Sequence, residues 1–241
     1  DGNWLAYTLI TNTNFEQAYV YSLSENKSYP ISDGLSNVTE PTFDPSGKYL
    51  YLTASTDAGP VVNWFDQSNQ DMTSSNALYL ITLQKEVKSP FAKENDVEKI
   101  AEAEEEQKED KKEESVPTLK IDWDGIMDRM VSVPVGTGNF MSLAAPKEGM
   151  LYYISYPSYD APAMLHLYNL GEQKDEELFE VDSFEISASG EKMMYYSNGS
   201  WFVSDTGKKS DQGPLAFDAI KVKIDPKQEW ENIFNEAWRV N

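Results

Sequence analysis

EPTFDPSGKYLYLTAS, residues 40–55, joins a tight turn to an apolar strand: Pro45, Ser46 and Gly47 supply the turn, and Tyr49 and Tyr51 then alternate with Leu50 and Leu52. The same grammar returns as SASGEKMMYYS at 187–197, more loosely as APKEGMLYYIS at 145–155, and as DGNWLAYT at 1–8. Gly2 and Gly47 are 45 residues apart, and Gly149 and Gly190 are 41 apart. A period of that length, with several short strands per unit and no helical periodicity, is what a β-propeller blade leaves in sequence. The repeat predicts an all-β chain, a partial β-propeller of about four blades.

The 241 residues are 40% hydrophobic and 12% aromatic, ample for a packed core. Against 20 Lys and Arg stand 41 Asp and Glu, a net charge of −21 that repels nucleic acid and anionic lipid, so neither is an expected partner. The low-complexity run at 93–115 holds 11 acidic and 5 basic residues, which leaves −15 elsewhere; the folded surface is itself acidic. Cysteine is absent, which removes disulfides and thiol-based metal or redox sites and is compatible with cytoplasm or periplasm. No apolar run reaches the roughly 18 residues of a membrane span, and no signal-peptide pattern opens the sequence, so a soluble chain is expected.

Taken in order, 4–10 and 17–23 read as the strands of a hairpin around TNTNFE, 26–28 as its end, and 32–35 as a turn between blades. After Ser55 the next strand, ALYLITL at 77–83, is delayed by a long loop over 56–76. Its VVNWF segment, 61–65, is too apolar for a solvated linker, and the loop reads as an insertion folded back onto the blade or onto a partner. The charged run 93–115, flanked by Pro90 and Pro117, has helix-forming residues but no apolar face, and reads as a flexible surface excursion. Residues 119–135 should complete the interrupted blade. Strands near 141–144, 151–156 and 165–168 form the next, and 183–217 the last. Tyr152, Tyr153, Tyr156 and Tyr159 read as inter-blade packing.

Few residues suggest chemistry. Asp122, Asp124 and Gly125 resemble the start of a calcium loop but lack the third oxygen ligand and the later Glu. Gly136-Thr137-Gly138 lacks the Lys and the helix of a phosphate loop and reads as a turn. His166, the one histidine, sits in LHLY and points away from its leucine neighbours, with no second His to make a metal pair. No nucleophile elbow is present. The residues therefore assign no catalytic, cofactor-binding or metal-binding position, and no cofactor.

The exit changes grammar. AIKVKI, 219–224, reads as a strand; then Asp225 caps a helix with Pro226 at its first position. Trp230, Ile233, Phe234, Ala237 and Trp238 recur at helical spacing and form one apolar face that demands a cover. With Asp1-Gly2 opening like a turn after a strand, the chain reads as a piece cut at both ends: 1–224 a partial propeller, 225–241 the start of a helical domain.

DWDGIMDRMVSVPVGTGNF at 122–140 and KVKIDPKQEWENIFNEAWRV at 221–240, together with the propeller strands, resemble tricorn-type proteases of the S41 peptidase group. The resemblance covers essentially the whole chain, and the exit segment is its most specific part. It implies the later blades of a second propeller, running into the first helix of the next domain, within a serine peptidase that continues into helical, PDZ and catalytic domains. The family's catalytic serine and histidine lie in those later domains, so none maps here and His166 inherits no role. The implied function is a non-catalytic gate or filter admitting peptide substrates, in a cytoplasmic protein, with homo-oligomerisation as a further expectation. Two alternatives fit less: a stand-alone TolB-like protein-binding propeller, and the propeller of a prolyl-oligopeptidase-like enzyme, which would continue into an α/β-hydrolase sheet.

Overall fold

The computed structural model describes residues 2–55, 75–92, 119–157, 161–217 and 219–240. Loop 56–74, the whole charged run 93–115 and Tyr159 lie outside them, so the readings placed there go no further. Four antiparallel sheets follow one another along the chain. Strands β1 (Trp4–Ile10), β2 (Glu16–Ser22) and β3 (Lys27–Pro30) form the first. The second is built from β4 (Asn37–Phe43), β5 (Tyr49–Ser55), β6 (Asn76–Thr82) and β7 (Met130–Gly138). The third contains β8 (Phe140–Lys147), β9 (Met150–Ser155), β10 (Met164–Asn169) and β11 (Lys174–Glu180). The fourth contains β12 (Ser183–Ile186), β13 (Lys192–Ser197) and β14 (Ser200–Asp205).

The sheets stack as propeller blades. First strands of successive blades meet, β4 with β8 and β8 with β12, while β1 and β2 both meet β4. Each inner blade buries both faces. Leu50, Leu52 and Ala54 of β5 pack toward the first blade with Ala18 and Val20, whereas Tyr51 between them packs toward the third with Leu151 and Tyr153. In β9 the neighbours Tyr152 and Ile154 turn the other way, to Met193 and Tyr195 of the fourth blade. Strict alternation in a two-faced sheet makes every residue a core residue, which is why these strands read as nearly continuous apolar runs. The tyrosines at 152 and 153 accordingly belong to two different interfaces, not to one cluster.

The turn that defines the repeat also ties blades together. Asp44 is 2% exposed. Its Oδ1 accepts the Ser46 N–H at 2.9 Å, and its Oδ2 accepts the Gly149 N–H of the next blade at 2.8 Å. Asn76 makes a two-point bond across the same joint, donating to the Phe140 carbonyl and accepting the Phe140 N–H, both at 2.9 Å. By position after their turn glycines, β1, β5, β9 and β13 are equivalent. That makes β1 the counterpart of the second strands, and no described strand pairs with it on the side opposite β2.

The ring is open. No described strand joins the first and fourth sheets, and both outer faces carry exposed apolar side chains, Leu5 and Leu9 on one and Met194 and Val203 on the other. Two open faces result.

Three sequence expectations are corrected. Residues 219–224 form no strand; the last strand is β14, with 210–215 held along it by Ser210 Oγ donating to the Val203 carbonyl at 3.0 Å and Leu215 N–H to the Trp201 carbonyl at 2.8 Å. AIKVKI alternates apolar and basic residues, but all of 219–224 is exposed, so it has no face to bury. Residues 136–138 are part of β7, where a register shift against Ala77 and Tyr79 accommodates the glycines. And β3, β4, β11, β12 and β14 complete blades in which fewer strands had been read.

Helix α1 (Pro226–Val240) begins where its cap signals place it, with Asp225 Oδ1 accepting the Lys227 N–H at 3.1 Å. Its apolar stripe is exposed, Trp238 at 80%. Because a helical period shows what could be buried and not what covers it, Trp238→Ala is expected to change the stability of this chain by no more than about 0.5 kcal/mol. Thermal unfolding checks this; a fall of many degrees would mean that the stripe is packed.

Candidate functional site

The third blade assembles a hydrogen-bonded chain of Ser155, His166 and Asp175, one residue from each of β9, β10 and β11. His166 Nε2 lies 2.9 Å from Ser155 Oγ, and Nδ1 lies 2.9 Å from Asp175 Oδ2. Tyr153 donates its phenol to Asp175 Oδ1 at 2.8 Å, and its ring stacks on the imidazole with centroids 5.0 Å apart. The carboxylate fixes the tautomer: Nδ1–H donates to Asp175, leaving Nε2 to accept from Ser155. The His166 and Asp175 side chains are 13% and 30% exposed.

This order of groups is that of a nucleophile, its base and the base's orienter. Acyl transfer also needs N–H donors aimed at the developing oxyanion. Here the N–H following the serine, that of Tyr156, is committed to the Asn139 carbonyl at 2.9 Å, and Ser155 itself sits in register between Phe140 and Met164. The strand pairing thus takes up the N–H next to the serine. The arrangement clamps three strands of one blade. His166 points away from Leu165 as its alternation predicts. Its partners were invisible because KDEELFE at 174–180 offers little apolar alternation, so β11, and Asp175 with it, went unread.

Burial raises the Asp175 carboxyl, but the hydrogen bonds from His166 and Tyr153 outweigh it, and its pKa is held below the ordinary 3.8. Burial, reinforced by the bond to Asp175, pushes the Tyr153 phenol up, so it remains a donor. A carboxyl with a lower pKa in the folded than in the unfolded state contributes stability that is complete above the unfolded value and is lost as pH falls through the folded one. Urea unfolding of the wild type and Asp175→Asn is therefore expected to show a gap at pH 7 that closes below about pH 3.8. A gap that persists unchanged into acid would show that the carboxylate charge contributes nothing.

The first strands of the blades carry a second feature. Glu40 in β4 and Ser142 in β8 both adopt positive φ, 59° in each case, and each lies seven residues before a turn glycine, Gly47 or Gly149. Both sit at register shifts, between Thr39 and Thr42 and between Met141 and Ala144. Positive φ outside glycine is costly and recurs at bulges that re-aim side chains. The two bulges touch: Glu40 Oε2 accepts the Leu143 N–H at 3.4 Å. Among the described residues no group of three or more His, Cys, Asp and Glu could hold a metal ion, and Asp122 and Asp124 instead serve Lys85, which donates its backbone N–H to Asp122 Oδ2 at 3.0 Å and pairs with Asp124. Among the described residues no helix is long and apolar enough to cross a membrane.

Comparison with known proteins agrees with this architecture. The family described as the tricorn protease second beta propeller domain matches residues 1–207. A tricorn protease homolog of Saccharolobus solfataricus is 24% identical over 100% of this chain and 22% of its own length. Tricorn protease homolog 1 of Streptomyces coelicolor is 27% identical over 83% of this chain and 20% of its own. The crystal structure of the tricorn protease superimposes with a TM-score of 0.70, at 16% identity, over 99% of this chain and 23% of that one. The chain thus spans roughly a fifth to a quarter of the proteins it resembles. From its first residues to just past β14, this chain belongs to the tricorn protease second β-propeller family.

Proposed function

We propose that this chain is the non-catalytic propeller segment of a tricorn-like serine peptidase, where it gates or filters peptide substrates for a catalytic domain of the same protein. The observation that carries the reading is the second-propeller family match over 1–207 in a chain that spans only about a fifth of its relatives. Its support in the geometry is chemical and local: the Tyr156 N–H beside Ser155 is committed to the Asn139 carbonyl, while the first strands, which stack from blade to blade, carry the bulged Glu40 and Ser142. In this proposal the partners are peptides and the helical, PDZ and catalytic domains, in the cytoplasm.

The test uses the parent peptidase. Glu40→Lys reverses a charge on a first strand without adding backbone strain beyond that of the native residue. It is expected to change the ratio of kcat/KM for long basic and long acidic peptides by at least about fivefold, and to leave short chromogenic substrates unaffected. Equal effects on short and long substrates, or none, would sink the gating role. The chain alone is expected to show no turnover of unstructured peptides, and turnover blocked by a serine-directed phosphonate would reverse the assignment.

A further inference from the structure

Between the third and fourth blades lies a cleft of about 440 Å³. The end of β8 contributes Pro146 and Lys147, β9 contributes Met150 and Tyr152, and the fourth blade closes it with Lys192, Asp205 and Lys208. Its volume is that of a small-ligand site.

The polar groups in it are out of balance. Tyr152 is only 4% exposed and lines the cleft, and its hydroxyl ends against Gly207. A Cβ at position 207 would lie 2.8 Å from it, so the missing side chain leaves the oxygen its room. The Thr206 hydroxyl, buried in the same wall, lacks a partner among the described residues. Buried hydroxyls are nearly always bonded, and an unbonded one marks a place where something else completes the set. Burial pushes the Tyr152 phenol up, so at neutral pH it can only be a neutral donor or acceptor.

Charge points to the missing partner's sign. Lys192 and Lys208 both face Asp205, at 2.7 and 4.0 Å. Lys147 has no ion pair among the described residues. With Glu191 also in the wall, the cleft carries Lys147, Lys192 and Lys208 against two carboxylates, a surplus of one positive charge in a chain of net −21. A surplus of one suits a monoanion, whereas a dianion would meet Glu191 and Asp205 with charge to spare. Pro146 and Met150 beside Lys147 offer an apolar wall for a side chain.

We propose that this cleft binds the free carboxylate end of a peptide, with Lys147 as counter-ion, the Tyr152 hydroxyl as hydrogen-bond donor, and Pro146 and Met150 against the terminal side chain. The choice of a peptide rests on the peptide-handling reading above; the monoanion preference rests on the cleft alone.

The experiment is calorimetric titration of this protein with an N-acetylated apolar tripeptide, as the free acid and as the C-terminal amide. The acid is expected to bind at least about tenfold more tightly than the amide. Lys147→Gln should remove about tenfold from the acid and nothing from the amide, and Tyr152→Phe about threefold or more from the acid. Melting temperatures of both variants, expected to match the wild type within a few degrees, separate lost binding from lost fold. Equal binding of acid and amide, no binding of the acid to folded wild type, or an unchanged acid affinity in Lys147→Gln would overturn the proposal. So would inorganic phosphate binding more tightly than the peptide acid, which would identify a dianion site. Because this titration needs no turnover and the gating test reads only turnover, either reading can fail while the other stands.

Discussion

Tyr51→Ala is expected to destabilise the protein by about 3–5 kcal/mol, the range for a large aromatic removed from a packed core. Tyr51 is fully buried between the second and third blades, among Leu78, Leu80, Leu151 and Tyr153. Its hydroxyl also faces Asp44 Oδ2 at 3.4 Å, and burial pushes its phenol well up, so the truncation exposes both a cavity and the flank of a buried carboxylate. For a chain of this size the loss corresponds to a melting temperature lower by roughly 6–20 °C. Tyr51→Phe keeps the ring and gives up only a long hydrogen bond, so a cost below about 1 kcal/mol is expected. If both substitutions cost the same, the ring does not hold the blades together, and the packing described between them is wrong.

The next largest effect is expected at a glycine. Gly190 has φ of +72°, and a Cβ there would stand 2.9 Å from the Pro146 carbonyl oxygen and 3.1 Å from the Pro146 Cβ. Neither neighbour is the end of a flexible side chain, so the fourth blade must shift from the third. Gly199 is a matched control, with φ of +77° and nothing within 4 Å. Gly199→Ala should cost about 1–2 kcal/mol, the strain of a left-handed residue alone. Gly190→Ala adds a backbone collision and should cost about 2–4 kcal/mol in all. Urea unfolding of the pair measures the difference, and equal losses would mean that the blades are not in contact at this turn.

The helix gives the clearest case of a local signal that was complete. Asp225, Pro226 and the stripe from Trp230 to Trp238 carry the start, the direction and the apolar face within 15 residues, and α1 forms there. The strand after each turn glycine was equally legible, because Gly47, Gly149 and Gly190 mark positions that need positive φ and the apolar run follows at once. The outermost strands were not. In β11 only Leu178 and Phe179 pack inward, and a strand with one neighbour and one solvated face needs little hydrophobic alternation to hold its place.

Turn chemistry, repeat length and the absence of cysteine were thus decided by residues a few positions apart: an all-β chain in blades of about 40 to 45 residues, closed by a capped helix. What lay beyond the sequence were pairings between residues far apart in it. Asp44 meets Gly149 and Ser155 meets Asp175 only because blades stack and hairpins fix register. The cleft between Lys147, Tyr152 and Lys208 exists only because two separate sheets bring its walls together. Local propensity acts through neighbouring residues, whereas a site is made by whatever the packing of separate sheets brings within hydrogen-bond distance, and only the tertiary structure sets that distance.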